Sequence, residues 1–193
     1  MKPLCILRLG PVEGEVLDAL EVGLWRAFGC AIERLGGQQE PIFAFDRERQ
    51  QYNSHMVLRE AAASVPRGAS RLLAVTGVDL FIPMLSFVFG QAQVGGAAAL
   101  ISVARLRQEF YGVRSNPRLT CLRAVKEGIH EVGHTLGLAH CRDRRCPMSL
   151  SNSIRQVDEK SDELCENCSM RIQDAIKTLR AGGPPAGILE KIR

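Results

Sequence analysis

Three of the four histidines in this chain fall within eleven residues, in the run H-E-V-G-H-T-L-G-L-A-H at 130–140. His130 and His134 are four residues apart, so on a helix their side chains lie one turn apart on the same face and can reach one ion. Gly137 can adopt the left-handed backbone that ends a helix, which lets the chain turn back and bring in His140. Three protein ligands with an open fourth position are typical of a catalytic zinc site.

Glu131 lies beside the first of these histidines and can contact a water on the metal without being a ligand, which suits a general base. Zinc at an open site lowers the pKa of a bound water to about 7 and polarises a substrate carbonyl. Glu131 would take the proton of that water and pass it to a leaving amine, so the pattern predicts hydrolysis of peptide bonds. The competing interpretation of the histidine run is a polar helix end without a metal. The full eleven-residue pattern is far rarer than a bare H-E-x-x-H, which favours the metal site. The remaining histidine, His55, is predicted to be an ordinary helix-surface residue.

Four cysteines follow the histidines as a C-x4-C and a C-x2-C pair, Cys141 with Cys146 and Cys165 with Cys168. This spacing suits a tetrahedral structural zinc, and two disulfides are the competing interpretation. Because Cys141 directly follows His140, a zinc held by the cysteines would also fix the backbone that presents the third histidine. The sequence therefore predicts two zinc ions per chain, one catalytic and one structural. Three other cysteines lie in apolar, periodic segments and are predicted to be buried core thiols: Cys5, Cys30 and Cys121.

A function from another class is a zinc-stabilised binding module, in which Arg142, Arg144 and Arg145 contact an acidic partner or nucleic acid. The net charge of +4 is spread along the whole chain, so nucleic acid is not the expected partner. The same arginines could instead clamp a substrate carboxylate near the zinc. Glu131 favours the enzyme, because a purely structural site has no use for a carboxylate beside an open metal position. A peptide or protein substrate is the expected partner, and the oligomeric state is not indicated.

Apolar periodicity in the N-terminal part of the chain predicts strands that alternate with helices. The predicted elements are a strand at 4–9, a helix at 12–30, a strand at 41–45, a helix at 47–63 and a strand at 71–76. This alternation is typical of a mixed sheet with helices packed on it.

The C-terminal part begins with two runs joined by Gly95-Gly96, which predicts a hairpin of residues 87–94 and 97–103. A long helix is predicted from Pro117 to Leu138, with the proline in the first turn. The remaining predictions are a metal-tied loop at 139–161 and a helix at 162–179 that is ended by Gly182-Gly183-Pro184-Pro185.

A length of 193 residues favours one domain, 1–193, in which 1–138 form an N-terminal lobe and 139–193 a smaller C-terminal lobe. Hydrophobic residues make up 46% of the chain and charged residues 24%, as in ordinary globular proteins. The apolar runs are far shorter than the ~20 residues of a membrane span. Arg8 interrupts the N-terminal run too early for a signal peptide, so a cytoplasmic location without membrane attachment is expected.

Taken together, the two clusters resemble the archaemetzincins, a branch of the metzincin zinc peptidases. The resemblance covers residues 130–168 and rests on H-E-x-x-H-x-x-G-x-x-H followed at once by Cys141, then Cys146, Met148 and the C-x2-C pair. It implies a zincin-like α+β fold with an α/β-like upper lobe. That fold has a twisted mixed sheet with backing helices and an active-site helix, and a smaller C-terminal lobe with a zinc-tied loop and a helix.

The resemblance also implies roles for residues outside the metal ligands. Met148 would occupy the turn beneath the catalytic zinc and pack under the imidazoles without binding the metal. The edge strand of the sheet, expected within 87–94, would hold the substrate as an added strand. Some metzincins carry a tyrosine two residues after the turn methionine, but this chain has Leu150 there. Stabilisation of the oxyanion would then come mainly from the zinc.

Overall fold

The computed structural model of the chain describes residues 2–181, so the predicted helix stop at 182–185 lies outside the described residues. The strands are β1 Leu4–Leu9, β2 Ile32–Arg34, β3 Phe45–Asp46, β4 Gln51–Asn53, β5 Arg71–Thr76, β6 Leu80–Ile82, β7 Leu85–Val88, β8 Gly90–Ala92 and β9 Ala98–Ser102. The α-helices are α1 Gly14–Phe28, α2 Ser54–Ala63, α3 Pro117–Thr135, α4 Ile154–Glu159 and α5 Glu166–Arg180.

The larger sheet has five strands in the order β2-β1-β5-β9-β8, of which only β8 runs antiparallel to its neighbour. Its central strands are buried on both faces, which explains why β1, β5 and β9 are continuous apolar runs. Along each strand successive side chains alternate between two apolar clusters. One cluster lies between the sheet and α1, α3 and α5, and the other between the sheet and α2. The predicted strands at 4–9 and 71–76 and the helix at 12–30 are confirmed.

The predicted hairpin is also confirmed, as β8 and β9 with Gly90 opposite Ile101 and Ala92 opposite Ala99. At its tip Gly95 has a φ of 68°, a left-handed conformation that favours glycine. The backbone N–H of Gly95 donates to the carbonyl of His134 at 2.9 Å. The hairpin tip is thereby fixed to the end of α3, and β8 lies at the edge of the sheet, as predicted for the strand beside the active site.

The second sheet has four short strands in the order β3-β4-β6-β7, and two predictions in this region are wrong. The run at 41–45 is mostly a 3-10 turn, because Ile42 and Phe43 are 71% and 56% exposed and do not alternate into a core. The helix predicted at 47–63 begins only at Ser54, after a turn and β4. The Asn53 side chain accepts from the backbone N–H groups of His55 and Met56, which caps the helix there.

Three boundaries in the C-terminal half also differ from the predictions. Helix α3 ends at Thr135 rather than Leu138, and α5 begins at Glu166 rather than at residue 162. The segment 139–161 is not a loop throughout, because Ser153 caps the short helix α4 by accepting from Gln156 N–H at 3.4 Å. The α+β prediction with a mixed sheet and backing helices is confirmed. Within residues 2–181, no helix has the length and apolar character that crossing a membrane requires.

Candidate active site

The two helical histidines lie on the last two turns of α3, the longest helix described. The helix begins at Pro117, and the Asn116 side chain caps it by accepting from Leu119 N–H at 3.1 Å. From there α3 runs against β9 and α1, so its C-terminal turns are almost wholly buried. His130 is buried and His134 is half-buried, and both side chains line a cleft.

The orientation of both imidazoles is fixed by backbone carbonyls. His130 Nδ1 donates to the carbonyl of Pro147 at 2.8 Å, and His134 Nδ1 donates to that of Leu138 at 2.7 Å. A carbonyl can only accept, so each Nδ1 carries the proton and each Nε2 presents a lone pair. The two Nε2 atoms lie 3.1 Å apart. A tetrahedral zinc with Zn–N distances near 2.05 Å would hold two nitrogens about 3.3 Å apart, so this donor pair fits one shared cation.

The third histidine reaches the same point from outside the helix. Gly137 has a φ of 88°, the left-handed conformation predicted for the helix end, and the chain reverses there. The exposed His140 ring then lies with its centroid 5.3 Å from that of His130 and 5.0 Å from that of His134. The ligand atoms of the three rings all fall within 4.8 Å of one another, so they could hold one metal ion. Burial lowers the pKa of all three imidazoles, most strongly for His130, and so favours the neutral form that binds metal.

The histidines open onto a cleft of about 470 Å³. One wall is the segment Leu85–Gly90, the floor is the face of α3, and the other wall consists of His140 and the segment Leu150–Asn152. Glu131 lies on the floor, where burial and then the carboxylate of Glu127 raise its pKa well above the ordinary value. A carboxyl group with a raised pKa is a stronger base, as proton transfer near neutral pH requires.

Gly90 forms the part of the wall that faces Glu131. A Cβ at this position would lie 2.7 Å from Cγ and from Oε1 of Glu131, and 2.7 Å from the carbonyl oxygen of Leu100. Only glycine therefore lets the edge strand β8 approach the carboxylate this closely. The sequence prediction missed this residue, because Gly90 looks like any glycine within a predicted strand.

A second carboxylate, Glu127, lies one turn before Glu131 on the same face of α3 and also lines the cleft. Its Oε1 accepts from Lys160 Nζ at 3.2 Å, and the two side chains are only 4% and 1% exposed. Nearby, Arg123 forms a bidentate ion pair with Asp158, both contacts being 2.7 Å. These charged contacts hold α4 and its following residue against α3. Sequence analysis missed Glu127 and Lys160, which are 33 residues apart and carry no local signal of pairing.

The four predicted cysteines also come together, at the base of the C-terminal helix. Cys141 and Cys146 lie in the segment before α4, Cys165 is the residue before α5, and Cys168 lies in its first turn. All four Sγ atoms fall within 4.8 Å of one another, and Cys141 Sγ lies 3.7 Å from Cys165 Sγ. Zinc–sulfur distances of ~2.3 Å place tetrahedral sulfurs about 3.8 Å apart, so the cluster fits a metal ion. All seven cysteines are free, which contradicts the disulfide interpretation.

The ionisation of the thiols is unequal. Burial raises the pKa of Cys146, and burial together with the charge of Cys146 raises that of Cys168. Burial also acts to raise the pKa of Cys165, but hydrogen bonds from the Cys168 backbone and the other thiols lower it overall. Four thiols this close resist ionising together unless a cation neutralises them. The cluster therefore has the chemistry of a closed structural metal site.

Met148 connects the two clusters, as its predicted place beneath the histidines requires. Its side chain is fully buried, and a Cβ added at Gly133 would lie 2.4 Å from the sulfur, so Met148 packs directly on the active-site helix. The Met148 carbonyl accepts from the N–H of Cys141 at 2.9 Å, and the preceding carbonyl of Pro147 holds His130. The turn therefore joins the residue after the third histidine to the first histidine.

The other predicted residues have simpler surroundings. His55 is exposed on α2, and Cys5 and Cys30 are buried, as predicted. Cys121 is only half-buried, because it lines a surface groove between α1 and α3. Three arginines are exposed on the segment before α4: Arg142, Arg144 and Arg145. Leu150 is exposed and lines the cleft, so no phenol stands beside the histidines at that position.

The chain is similar to known proteins in both sequence and structure. The profile of peptidase family M54 matches residues 65–174. An archaemetzincin from Methanocaldococcus jannaschii is 44% identical over 171 residues, which is 89% of this chain and 93% of that protein. The crystal structure of an archaemetzincin from Methanopyrus kandleri has a TM-score of 0.78 at 34% identity and covers 91% of this chain and 95% of its own. A zinc-dependent peptidase from Methanocorpusculum labreanum has a TM-score of 0.81 at 26% identity, covering 88% and 99%.

Proposed function

The chain belongs to peptidase family M54, the archaemetzincins, and is thus a zinc metallopeptidase; from this premise we propose the residues that perform its chemistry. His130, His134 and His140 hold the catalytic zinc, and Glu131 is the general base. The observation that carries the proposal is the 3.1 Å approach of two Nε2 atoms whose Nδ1 protons are already donated to carbonyls. Two facing lone pairs repel each other unless a cation lies between them.

When bound, the zinc supplies a Lewis acid that polarises the scissile carbonyl and acidifies the attacking water. Glu131 takes the proton from that water and gives it to the leaving amine nitrogen. Burial, which raises the pKa of Glu131, supports both transfers because the carboxyl can hold the proton between them. Leu150 stands where some metzincins have a tyrosine, so among the residues at the cleft no phenol assists the carbonyl oxygen.

The substrate backbone binds along β8 as an added strand. This strand lies at the edge of the sheet, and its Gly90 packs directly against Glu131. An extended peptide would therefore pair its backbone with a free strand edge while its scissile bond lies over the base. The cleft lies between the segment Leu85–Gly90, which leads into β8, and the segment Leu150–Asn152, and this long shape supports an extended substrate.

The second zinc is structural and is held by Cys141, Cys146, Cys165 and Cys168, which gives two zinc ions per chain. The closed set of four sulfurs leaves no position for water, in contrast to the three histidines. The N–H of Cys141 donates to Met148, so this metal would also steady the turn beneath the first site. We also infer that the lobes divided near residue 138 act as one domain, because one apolar cluster contains side chains from both.

The test is a digest of a peptide library by the wild type and by Glu131→Ala, read by mass spectrometry, with metal analysis of the same samples. Glu60→Ala is the matched control, because Glu60 is also a helical glutamate but is exposed on α2, on the opposite face of the sheet. We expect cleavage by the wild type and by Glu60→Ala, and none by Glu131→Ala at equal zinc content. Cleavage that survives in Glu131→Ala would refute the role of the base, and one zinc per chain would refute the cysteine site.

A further inference from the structure

One end of the cleft extends past the base along α3. We use the name Glu127 pocket for the part of the cleft beside Glu127 and Glu131; the segment Leu150–Asn152 lines the same cleft. A helix rises ~1.5 Å per residue, so Glu127 lies about 6 Å along the axis from Glu131 and about 10 Å from His134. Because Glu131 gives its proton to the leaving amine, the substrate residue that carries this amine lies on the side of the base. The side chain of that residue therefore points into the Glu127 pocket, if the proposed function holds.

The charged side chains that line this part of the cleft are acidic. Glu127 lines the cleft while its partner Lys160 does not, and the ion pair between them is 3.2 Å long. Among the residues that line the cleft there are two glutamates and no lysine or arginine. Burial raises the pKa of Glu127, and the charge and hydrogen bond of Lys160 oppose that shift. A cation that enters from the cleft thus meets a carboxylate in a poorly solvated place, where the attraction is strongest.

Two neighbouring side chains add to this polarity and suit a long basic side chain. The hydroxyl of Ser151 is buried and has no hydrogen-bond partner within residues 2–181, so it is free to accept from a ligand. Asn152 adds a polar side chain to the lining of the same cleft. Leu150 is exposed at the rim, where it can pack on the methylene stem of a lysine or arginine.

We propose that the Glu127 pocket selects substrates with lysine or arginine at the residue that follows the scissile bond, with Glu127 as the specificity-determining residue. The long side chain crosses the rim at Leu150, and its charged end reaches Glu127 and the Ser151 hydroxyl. An acidic side chain at that position is disfavoured by the two glutamates, and an aliphatic one leaves the carboxylate and the hydroxyl without a partner.

The test measures binding rather than cleavage, so that it does not depend on turnover. The zinc-loaded Glu131→Gln variant is titrated with fluorescent peptides that differ only at the residue after the scissile bond, which is lysine, norleucine or glutamate. We expect the lysine peptide to bind roughly tenfold more tightly than the norleucine peptide, and the glutamate peptide more weakly than both. Adding Glu127→Gln should abolish the preference for lysine, while Glu159→Gln, at an exposed carboxylate on α4, should keep it.

Glu127→Gln leaves the Lys160 ammonium buried without a partner, which could unfold the protein. A second variant is therefore needed. The double variant Glu127→Gln/Lys160→Met removes both charges and should also lose the preference. Equal binding of the lysine and norleucine peptides, or no binding of any peptide, overturns the inference. Wild-type hydrolysis with no preference leaves the proposed function intact and refutes only the pocket. Lysine-selective binding without wild-type hydrolysis would support the pocket and refute the proposed function.

Discussion

Replacing Gly90 by alanine should displace the general base while leaving the metal in place. The new Cβ would lie 2.7 Å from Cγ and Oε1 of Glu131, about 0.7 Å closer than an ordinary contact allows. On the other side it would lie 2.7 Å from the carbonyl of Leu100, which is backbone within the buried strand β9. Because β9 is packed in the core and cannot shift, either the Glu131 side chain must move by roughly 1 Å or β8 must separate from β9.

The expected cost follows from this geometry. A shift of about 1 Å in a catalytic group costs roughly 100-fold in rate, and overpacking of this kind costs about 1–3 kcal/mol of unfolding free energy. The assay is kcat/KM on one peptide, together with denaturant unfolding and zinc content. Gly36→Ala is the control, because a Cβ there has no neighbour within 4 Å and the backbone is not left-handed. Activity of Gly90→Ala within about twofold of the control would refute the placement of Glu131 against β8.

Three further predictions concern metal content, packing and pH. Cys141→Ser should lower zinc content and activity together, because Cys141 directly follows His140. Native mass spectrometry counts the bound zinc, and an unchanged number of zinc ions per chain would contradict the coupling of the two metal sites. Met148→Ala should cost about 2–5 kcal/mol of unfolding free energy, because the fully buried side chain packs on Gly133; a loss below ~1 kcal/mol in denaturant unfolding would refute that packing. Burial lowers the pKa of His130, so below the unfolded pKa of ~6.5 the unfolded state binds more protons than the folded state. The metal-free protein should therefore lose stability as the pH falls through ~6.5, and His130→Gln should reduce that loss in unfolding curves between pH 7.5 and 5.5; an unchanged pH dependence would count against a buried, neutral imidazole.

The parts of the site that could be predicted from sequence are those fixed by local geometry. Helical spacing brings His130 and His134 together, and a glycine that can adopt left-handed backbone lets His140 join them, so the three rings converge as predicted. The strands β1 and β5 could also be predicted from a local pattern. A strand buried on both faces has few polar residues, so each appears in the sequence as a continuous apolar run.

The parts that could not be predicted depend on contacts between distant residues. The ion pair of Glu127 with Lys160 joins α3 to the residue after α4, and the need for Gly90 arises only when β8 approaches α3. The region 41–53 was predicted wrongly, and the strand at 41–45 failed because apolar Ile42 and Phe43 lie at the surface. The capping asparagine, Asn53, was the local signal that could have located the start of α2.

The central claim is that Glu131 acts as the base beside a zinc held by three histidines. It is tested most directly by kcat/KM of the zinc-loaded wild type and of Glu131→Gln on one peptide from the library, with zinc content measured in the same samples. Because a positioned general base contributes roughly 10²–10⁴-fold, we expect a fall of that size at equal zinc content. A Glu131→Gln enzyme that keeps its zinc and retains kcat/KM within a few-fold of the wild type would contradict the claim.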